Sequence, residues 1–284
     1  MMLINRLVQY FFNALVIIKT VTGDYKFTLR EYIIYFKYAE SPGPQNKYPT
    51  VQIIGGDDTF VKLKIGTHIY FWPRTFDLYG LAYMHQEVYA PSSNNFHAYE
   101  HGPIQVKCGD VVIDAGACEG FFTRYALEKG AKIITIEPVK ILADALKRTF
   151  LNEIKNGQVS LHNVAIGSCN TQGYLSMDST KIFESHLSMV GECVDIVKLD
   201  DFITTKVDFI KMDIEGGEVD AVYGAHNIIK LYKPRLAIAV YHNYENAQKI
   251  MEYLYVLCPE YTIKYRGIYA YNNEKPRPMM VYAW

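Results

Sequence analysis

The chain has no long uninterrupted hydrophobic run, and its charge shows no excess of either sign. The most apolar stretch near the start, residues 3–21, is interrupted by Asn5, Arg6, Gln9 and Asn13. Its clean apolar part, residues 14–18, is far shorter than the ~20 residues that a membrane-spanning helix requires. It also lacks a small-residue cleavage site, so the sequence predicts neither a transmembrane span nor a signal peptide.

The same stretch nevertheless predicts an amphipathic helix, because its apolar residues recur at helical spacing. These residues are Leu3, Leu7, Tyr10, Phe11, Ala14, Leu15 and Ile18. The favoured interpretation is packing on the protein itself. A peripheral membrane contact through residues 3–21 and pairing within a homo-oligomer remain as alternatives.

Cysteine is scarce and scattered. The five cysteines never form C-x-x-C, so neither a disulfide framework nor a structural zinc site is expected. Reduced thiols predict a cytoplasmic location. The 29 Lys and Arg nearly balance the 30 Asp and Glu. No basic face that could neutralise many phosphates is indicated, and the sequence therefore predicts no nucleic-acid partner.

The part of the sequence from Cys108 onward alternates strand-like and helical segments. Apolar runs at 111–114, 132–137, 159–164, 207–213 and 235–241 are separated by helical sequence, and runs at 261–265 and 279–283 predict a closing antiparallel pair. This order predicts an α/β fold with a mostly parallel sheet and helices on both faces. Residues 1–100 lack the alternation and are predicted to form an N-terminal extension of helices and short strands, serving as a cap or as substrate or oligomer contacts.

The most informative motif is Asp-Ala-Gly-Ala-Cys-Glu-Gly at 114–120. Asp114 ends a strand, and Gly116 and Gly120 shape the turn into a helix whose free N–H groups can face a ligand. The motif is neither G-x-G-x-x-G nor a phosphate loop, and Asp114 would repel a pyrophosphate. A carboxylate there suits a positively charged cofactor such as S-adenosylmethionine, although a tight turn without a ligand is the alternative.

Three further strand ends carry candidate residues. Glu137 follows Asp114 by 23 positions, where an acid can accept the hydroxyls of a ribose. Asp213 ends the fourth strand, and Glu215 starts the segment after it. Glu218 is interpreted as an acid that stabilises the start of the next helix through the helix dipole. His242 follows the fifth strand and is a candidate general base.

Together these segments resemble the FkbM family of S-adenosylmethionine-dependent methyltransferases. The resemblance runs from about residue 87 to about residue 244 and includes Ile-Glu-Pro at 136–138, Asn-Val-Ala-Ile-Gly at 163–167 and Asp-Ile-Glu-Gly at 213–216. Cys118 and Glu119 depart from the family pattern, which has Asn and a small or apolar residue there. The loop glycines are intact, so cofactor binding is still expected.

The resemblance implies a class I, Rossmann-like methyltransferase domain over residues 101–284, with a seven-stranded sheet that binds S-adenosylmethionine. By carry-over, the cofactor contacts would be Asp114, Gly116, Ala117, Gly120, Glu137, Asn163, Val164 and Asp213. The implied activity is O-methylation of a hydroxyl on a sugar, a glycan or a secondary metabolite.

For catalysis we expect His242 to act as the base, with Asp213 or Glu215 as helper or alternative. The same three residues can also collect a divalent cation, but no dense carboxylate cluster supports one, and no metal is predicted. Two other function classes compete: a non-catalytic scaffold with a methyltransferase-like fold, and a nicotinamide-dependent oxidoreductase. The strand-end acids speak against the first, and the missing glycine pattern speaks against the second.

Tyrosine is unusually abundant, with 24 copies. Eleven lie in residues 1–100, and others cluster from Tyr241 to Tyr282. Tyrosine rings stack on sugar faces and their hydroxyls bond to sugar oxygens, so these two regions are candidates for one wall of an acceptor pocket. Amphipathic cover over the sheet, or a subunit interface, is the favoured explanation of the excess.

Overall fold

The computed structural model describes residues 14–38, 48–176, 186–188, 191–270 and 274–284. The helices are α1 (residues 14–22), α2 (Leu29–Tyr38), α3 (Leu81–Tyr89), α4 (Phe121–Glu128), α5 (Lys140–Thr149), α6 (Leu151–Lys155), α7 (Leu199–Phe202), α8 (Glu218–Tyr223), α9 (His226–Tyr232) and α10 (Asn246–Leu257). The strands are β1 (Val51–Gly56), β2 (Phe60–Ile65), β3 (His68–Pro73), β4 (Val111–Ala115), β5 (Lys132–Ile136), β6 (Val159–His162), β7 (Ala165–Ile166), β8 (Thr171–Ser176), β9 (His186–Ser188), β10 (Glu192–Val197), β11 (Phe209–Met212), β12 (Arg235–Ala239), β13 (Ile263–Tyr269) and β14 (Arg277–Ala283).

A seven-stranded sheet organises the chain, with the strand order β13-β14-β12-β11-β4-β5-β6. The five strands from β12 to β6 are parallel, and β14 is antiparallel to both β12 and β13. The predicted α/β class, the parallel sheet and the antiparallel closing pair are therefore confirmed. The order reverses direction at β4, and ligands bind at such a switch point in open α/β sheets.

Both faces of this sheet are buried, as the continuous apolar strands predict. Alternate residues of one strand enter different clusters: Ile113 and Ala115 pack with α8, α9 and α10, whereas Val112 packs with α4. The same alternation holds in β11, where Phe209 faces the α4 side and Ile210 the α10 side. The two-residue alternation of side chains along the central strands thus matches the burial on the two faces of the sheet.

Two smaller sheets flank the seven-stranded one. β1, β2 and β3 form an antiparallel sheet. A second small sheet, of mixed direction, consists of β7, β10, β8 and β9 within the long connection after β6. The sequence pattern does not predict this second sheet. Leu63 and Trp72 of the first sheet share an apolar cluster with Phe121 of α4, Leu142 of α5 and Leu175 of β8. The boundary near residue 100 is thus bridged by a common core, and the division at that position stays a proposal.

The N-terminal helix prediction is met only in part. Residues 14–22 are helical, and positions 3–13 of the predicted amphipathic helix lie outside the described residues. On α1 Ala14 and Ile18 are exposed, whereas Thr20 is buried and its hydroxyl contacts the hydroxyl of Tyr32 on α2. Of the described residues of the predicted apolar stripe, two are thus exposed, and Leu15 is half-buried. Within that part, no helix combines the length and the apolar content that a bilayer span requires.

Candidate functional site

A cavity of about 750 Å³ lies at the carboxyl ends of the parallel strands. Its wall includes the turn after β4, the ends of β5 and β11, the segment after β12, and residues of α3 and the segment that follows it. Parallel strands present their carboxyl ends at one edge of the sheet, so residues separated in sequence meet there. The volume is in the range of small-molecule and cofactor sites.

Asp114 lies beneath the cavity and is not part of its wall. It is fully buried in register with Lys211 on β11, whose Nζ lies 3.1 Å from Asp114 Oδ1. Thr123 Oγ1 donates to Asp114 Oδ2 at 2.6 Å. The pairing with Asp114 and Asp213 raises the pKa of Lys211 against the effect of burial, so both charges are compensated. Lys211 and Thr123 thus engage both carboxylate oxygens of Asp114. The cofactor contact predicted for Asp114 stays a prediction.

The turn after β4 approaches the neighbouring strand closely. Gly116 has φ +74°, and a Cβ at this position would lie 1.8 Å from the carbonyl oxygen of Asp213. Only glycine fits there, for steric and for conformational reasons. Gly116 and Ala117 line the cavity, and Gly120 begins α4 with φ +81°. The N–H groups of Gly116 and Ala117 donate to the carbonyl oxygen of Ile136, so the turn is held against β5 and leaves room beside it for a ligand.

Glu137 lies in the cavity wall at the end of β5. Its carboxylate accepts hydrogen bonds from the backbone N–H groups of Cys118 and Val139, both at 2.9 Å. Burial raises the pKa of Glu137 to about 7, although these two hydrogen bonds lower it. Each oxygen retains a free lone pair, so a diol that donates to them is a fitting ligand.

The two cofactor contacts predicted after β6, Asn163 and Val164, differ in their position in the structure. Val164 lines the cavity, whereas the side chain of Asn163 donates to the carbonyl oxygens of Glu137 and Pro138. Asn163 thus holds the end of β5 in place and does not itself form part of the wall.

Asp213 is held by two residues from the N-terminal part of the chain. The hydroxyl of Tyr99 donates to Asp213 Oδ2 at 2.7 Å, and His97 Nε2 lies 3.2 Å from the same atom. His97 Nδ1 in turn lies 3.6 Å from Glu87 Oε2. Burial raises the pKa of Asp213, but His97, His242 and Lys211 bring it well below its usual range. The carboxylate is therefore ionised at neutral pH.

His242 stands on the other side of Asp213. Its Nε2 lies 3.3 Å from Glu215 Oε2 and 3.6 Å from Asp213 Oδ1, and its Nδ1 lies 2.9 Å from Glu218 Oε1. Burial lowers the pKa of His242, but Glu215, Glu218 and Asp213 together raise it well above its usual value. Glu215 has φ +57°, a strained conformation for a side chain with a Cβ, and such strain concentrates at functional sites.

Glu218 has a larger role than the helix start that the sequence indicated. It is fully buried, and Oε1 accepts the N–H groups of Ile214 and Gly216 while Oε2 accepts Asn246 Nδ2. Glu218 therefore fixes the loop after β11 and also places a carboxylate beside His242.

The three predicted catalytic residues Asp213, Glu215 and His242 are brought together. One ligand atom of each lies within 4.8 Å of the other two, a spacing that a cation can bridge. The prediction of no metal stays a prediction, since these groups also compensate one another as ion pairs.

Sequence reasoning missed Glu87, His97, Tyr99 and Lys211 as residues of this region. Lys211 could have been found from the sequence. A lysine inside an apolar strand needs a partner, and the neighbouring strand carries a buried acid. The other three carried no such signal, since their contact with Asp213 spans more than a hundred positions.

Comparison with known proteins identifies related sequences. The family model described as Methyltransferase FkbM domain matches residues 114–265. A probable ribosomal RNA small subunit methyltransferase A of Methanospirillum hungatei JF-1 is 38% identical over 53 residues, which are 19% of this chain and 21% of that protein. The chain therefore spans about a fifth of the length of this curated relative.

Solved structures give weaker similarity. A methyltransferase FkbM from Methylobacillus flagellatus KT is 23% identical, with a TM-score of 0.47, over 62% of this chain and 44% of that one. A precorrin-6y C5,15-methyltransferase from Geobacter metallireducens GS-15 is 12% identical, with a TM-score of 0.39, over 63% and 81% of the two chains.

Proposed function

Because the chain belongs to the methyltransferase FkbM family, we propose that it transfers a methyl group from S-adenosylmethionine to a hydroxyl oxygen of a sugar, a glycan or a related small metabolite. The observation that carries this proposal is the position of His242 Nε2, which lies beside Asp213 and Glu215 in the same cavity that the turn after β4 lines. Family membership supports the reaction class, and the acceptor is inferred from the site.

Residues 116–119, Glu137 and Val164 form what we term the cofactor half of the cavity. The open turn and the buried carboxylate fit a nucleoside with a ribose diol and a charged methionine part. S-adenosylmethionine supplies an electrophilic methyl group on sulfur. Here Glu137 would accept the ribose hydroxyls, and the backbone of Gly116 and Ala117 would approach the methionine part.

Glu87, His97, Asp213, Glu215, Tyr241 and His242 form the acceptor half. Alignment of an acceptor hydroxyl with the methyl group is the main contribution that such a site can make. A sugar hydroxyl is weakly nucleophilic at neutral pH, so a proton acceptor adds to the rate. We assign this role to His242 in its neutral form, with Asp213 and Glu215 stabilising the imidazolium that results.

Methylation of RNA is the second candidate, because the name of the Methanospirillum relative states a ribosomal RNA activity. The net charge of −1 and the acidic wall of the cavity favour a neutral or cationic acceptor instead. A scaffold without catalysis and an oxidoreductase remain as the less favoured classes.

Two measurements test the proposal. Calorimetry with S-adenosylhomocysteine should give a binding heat, and NADH should give none. A transfer assay with methyl-labelled S-adenosylmethionine over glycans, free sugars, phenols and RNA should label a hydroxyl of a small acceptor. Binding of NADH alone, labelling of RNA alone, or no binding of S-adenosylhomocysteine would contradict the proposal.

A further inference from the structure

We propose that the acceptor carries a positively charged amine close to the methylated hydroxyl, and that the carboxylates of the acceptor half, Glu87 and Glu215 among them, compensate its charge. The acceptor class would then be amino sugars and related amino alcohols. The proposal rests on the proposed function for the reaction, but the recognition of an amine can be measured without any turnover.

The first argument is the charge of the cavity wall. Six carboxylates line it: Glu87, Glu119, Glu137, Asp213, Glu215 and Asp220. The basic residues of the wall are Lys211, His97 and His242, and Lys211 is already paired with Asp114 below the wall. S-adenosylmethionine adds an ammonium, a sulfonium and a carboxylate, a net single positive charge. Burial raises the pKa of Glu119 to about 8 and that of Glu137 to about 7, so the negative charge of the wall at neutral pH rests mainly on the other four carboxylates. In their ionised forms these four exceed the charge of His97, His242 and the cofactor together by one, and a cationic acceptor would compensate this charge.

The second argument is the state of Glu87 and Glu215. Burial raises the pKa of each carboxyl above its usual value, although His97 lowers that of Glu87 and His242 lowers that of Glu215. Their neighbours include Asp213, which raises both values further. Protonation is how a crowded set of carboxylates relieves its repulsion, and a bound ammonium relieves it as well.

The third argument is geometric. Glu87 and Glu215 lie on opposite sides of Asp213, linked to it through His97 and His242 respectively. Their side chains are 16% and 31% exposed, so each keeps an open side. His97 is 6% exposed, and neither of its ring nitrogens makes an aligned hydrogen bond. A ligand that offers both N–H and O–H groups can satisfy this set.

The fourth argument is the aromatic wall beside these acids. The rings of Tyr241 and Tyr269 stack with centroids 5.0 Å apart, and both residues line the cavity. The Tyr241 ring also lies 4.1 Å from the His242 ring and 5.4 Å from the His97 ring. Aromatic faces together with carboxylates are typical of ammonium recognition, and tyrosine rings also stack on sugar faces. A metal ion would make no use of these rings.

Ligand-observed NMR with matched acceptor pairs tests the proposal on the full chain. The pairs are D-glucosamine with D-glucose and 2-aminocyclohexanol with cyclohexane-1,2-diol, and glucose 6-phosphate serves as the anionic probe. We expect the amine of at least one pair to bind about tenfold or more tightly than its neutral partner, and the phosphate to bind weakest. Glu87→Gln and Glu215→Gln should each reduce this preference at least threefold. The exposed Glu252→Gln on α10 is the matched control and should retain it.

Equal affinity within every pair, including no binding by any probe, would overturn the proposal, as would a preference that survives both Gln variants. A separate titration with manganese chloride tests whether a metal ion, rather than an amine, supplies the positive charge. Mn²⁺ binding that Glu215→Gln abolishes, without any amine preference, would assign the excess negative charge to a metal and overturn the proposal. Calorimetry with S-adenosylhomocysteine on the same samples reports separately on the proposed function.

Discussion

The cofactor half of the cavity is built from turns that follow successive strands, whereas the acceptor half joins residues from distant parts of the chain. Gly116, Ala117 and Glu137 lie within about twenty positions of one another and at the ends of adjacent strands. Tyr99 and Asp213, by contrast, are 114 positions apart and share a hydrogen bond.

The two halves also differ in their charge. The cofactor half relies on backbone groups and on two acids, Glu119 and Glu137, whose pKa values burial raises to about 8 and about 7. The acceptor half gathers carboxylates and histidines whose pKa values are shifted by one another. Mutual contacts between acids and histidines are typical of sites where protons are moved. We therefore propose chemistry for the acceptor half and cofactor binding for the other half.

The sharpest test of this division is His242→Ala. We expect turnover to fall about 10²–10⁴-fold, because the hydroxyl loses its proton acceptor, while S-adenosylhomocysteine binding stays unchanged. Initial rates of labelled-methyl transfer and calorimetry measure the two effects. His226→Ala on α9, outside the cavity wall, is the matched control. Near wild-type turnover of His242→Ala would remove the assignment.

Lys211→Ala tests the buried ion pair of Lys211 and Asp114, which lies below the cavity. Removing this lysine leaves the fully buried Asp114 without its partner, and we expect the free energy of unfolding to fall by about 3–5 kcal/mol. Urea unfolding followed by circular dichroism measures the loss. Lys206→Ala breaks an exposed pair with Asp208 and should cost about 0–1 kcal/mol. An equally small cost at Lys211 would show that its pairing with Asp114 does not stabilise the fold.

Glu137→Gln perturbs the cofactor half alone. An amide retains the shape of the side chain but loses the charge that strengthens a hydrogen bond from a ribose hydroxyl. We expect S-adenosylhomocysteine to bind about ten- to a hundredfold more weakly, as measured by calorimetry. Binding at wild-type affinity, with the variant folded by circular dichroism, would remove Glu137 from the cofactor contacts. Glu252→Gln is again the control.

The pH dependence of turnover separates the halves without any substitution. His242 accepts a proton only in its neutral form, and its neighbouring carboxylates raise its pKa well above the usual value. Turnover should therefore increase with pH from 6.5 upward, about tenfold for each unit below that pKa. The measurement is kcat at saturating S-adenosylmethionine from pH 6 to 9, because Glu137 has a pKa of about 7 and would change cofactor binding in the same range. The folded fraction is checked at each pH. A rate that falls as the pH rises from 6.5 to 8 would exclude His242 as the base.

The smallest expected effect is that of chelation. Asp213, Glu215 and His242 compensate one another as ion pairs, so the predicted absence of a metal implies unchanged turnover after treatment with EDTA. Initial rates before and after dialysis against the chelator give the comparison. Loss of activity that Mg²⁺ or Mn²⁺ restores would show that these three residues hold a cation.

Much of the fold was predictable from the sequence, because strand and helix periodicity is a local property. The parallel strands, the closing antiparallel pair and the glycine turn at 114–120 all follow from residues within one or two elements. The small sheet of β7, β8, β9 and β10 did not, since its strands pair across a long connection and carry no clear alternation.

The sequence by itself determined which side chains end the central strands: Asp114, Glu137, Asp213 and His242. Strand direction is uniform in a parallel sheet, so these ends had to meet at one edge. Only the tertiary structure decided which of them face the cavity. In-register pairing with Lys211 places Asp114 below it, and the packing of α3 and the segment after it brings Glu87 and His97 to Asp213. Such contacts depend on the packing of whole elements, which no local pattern encodes.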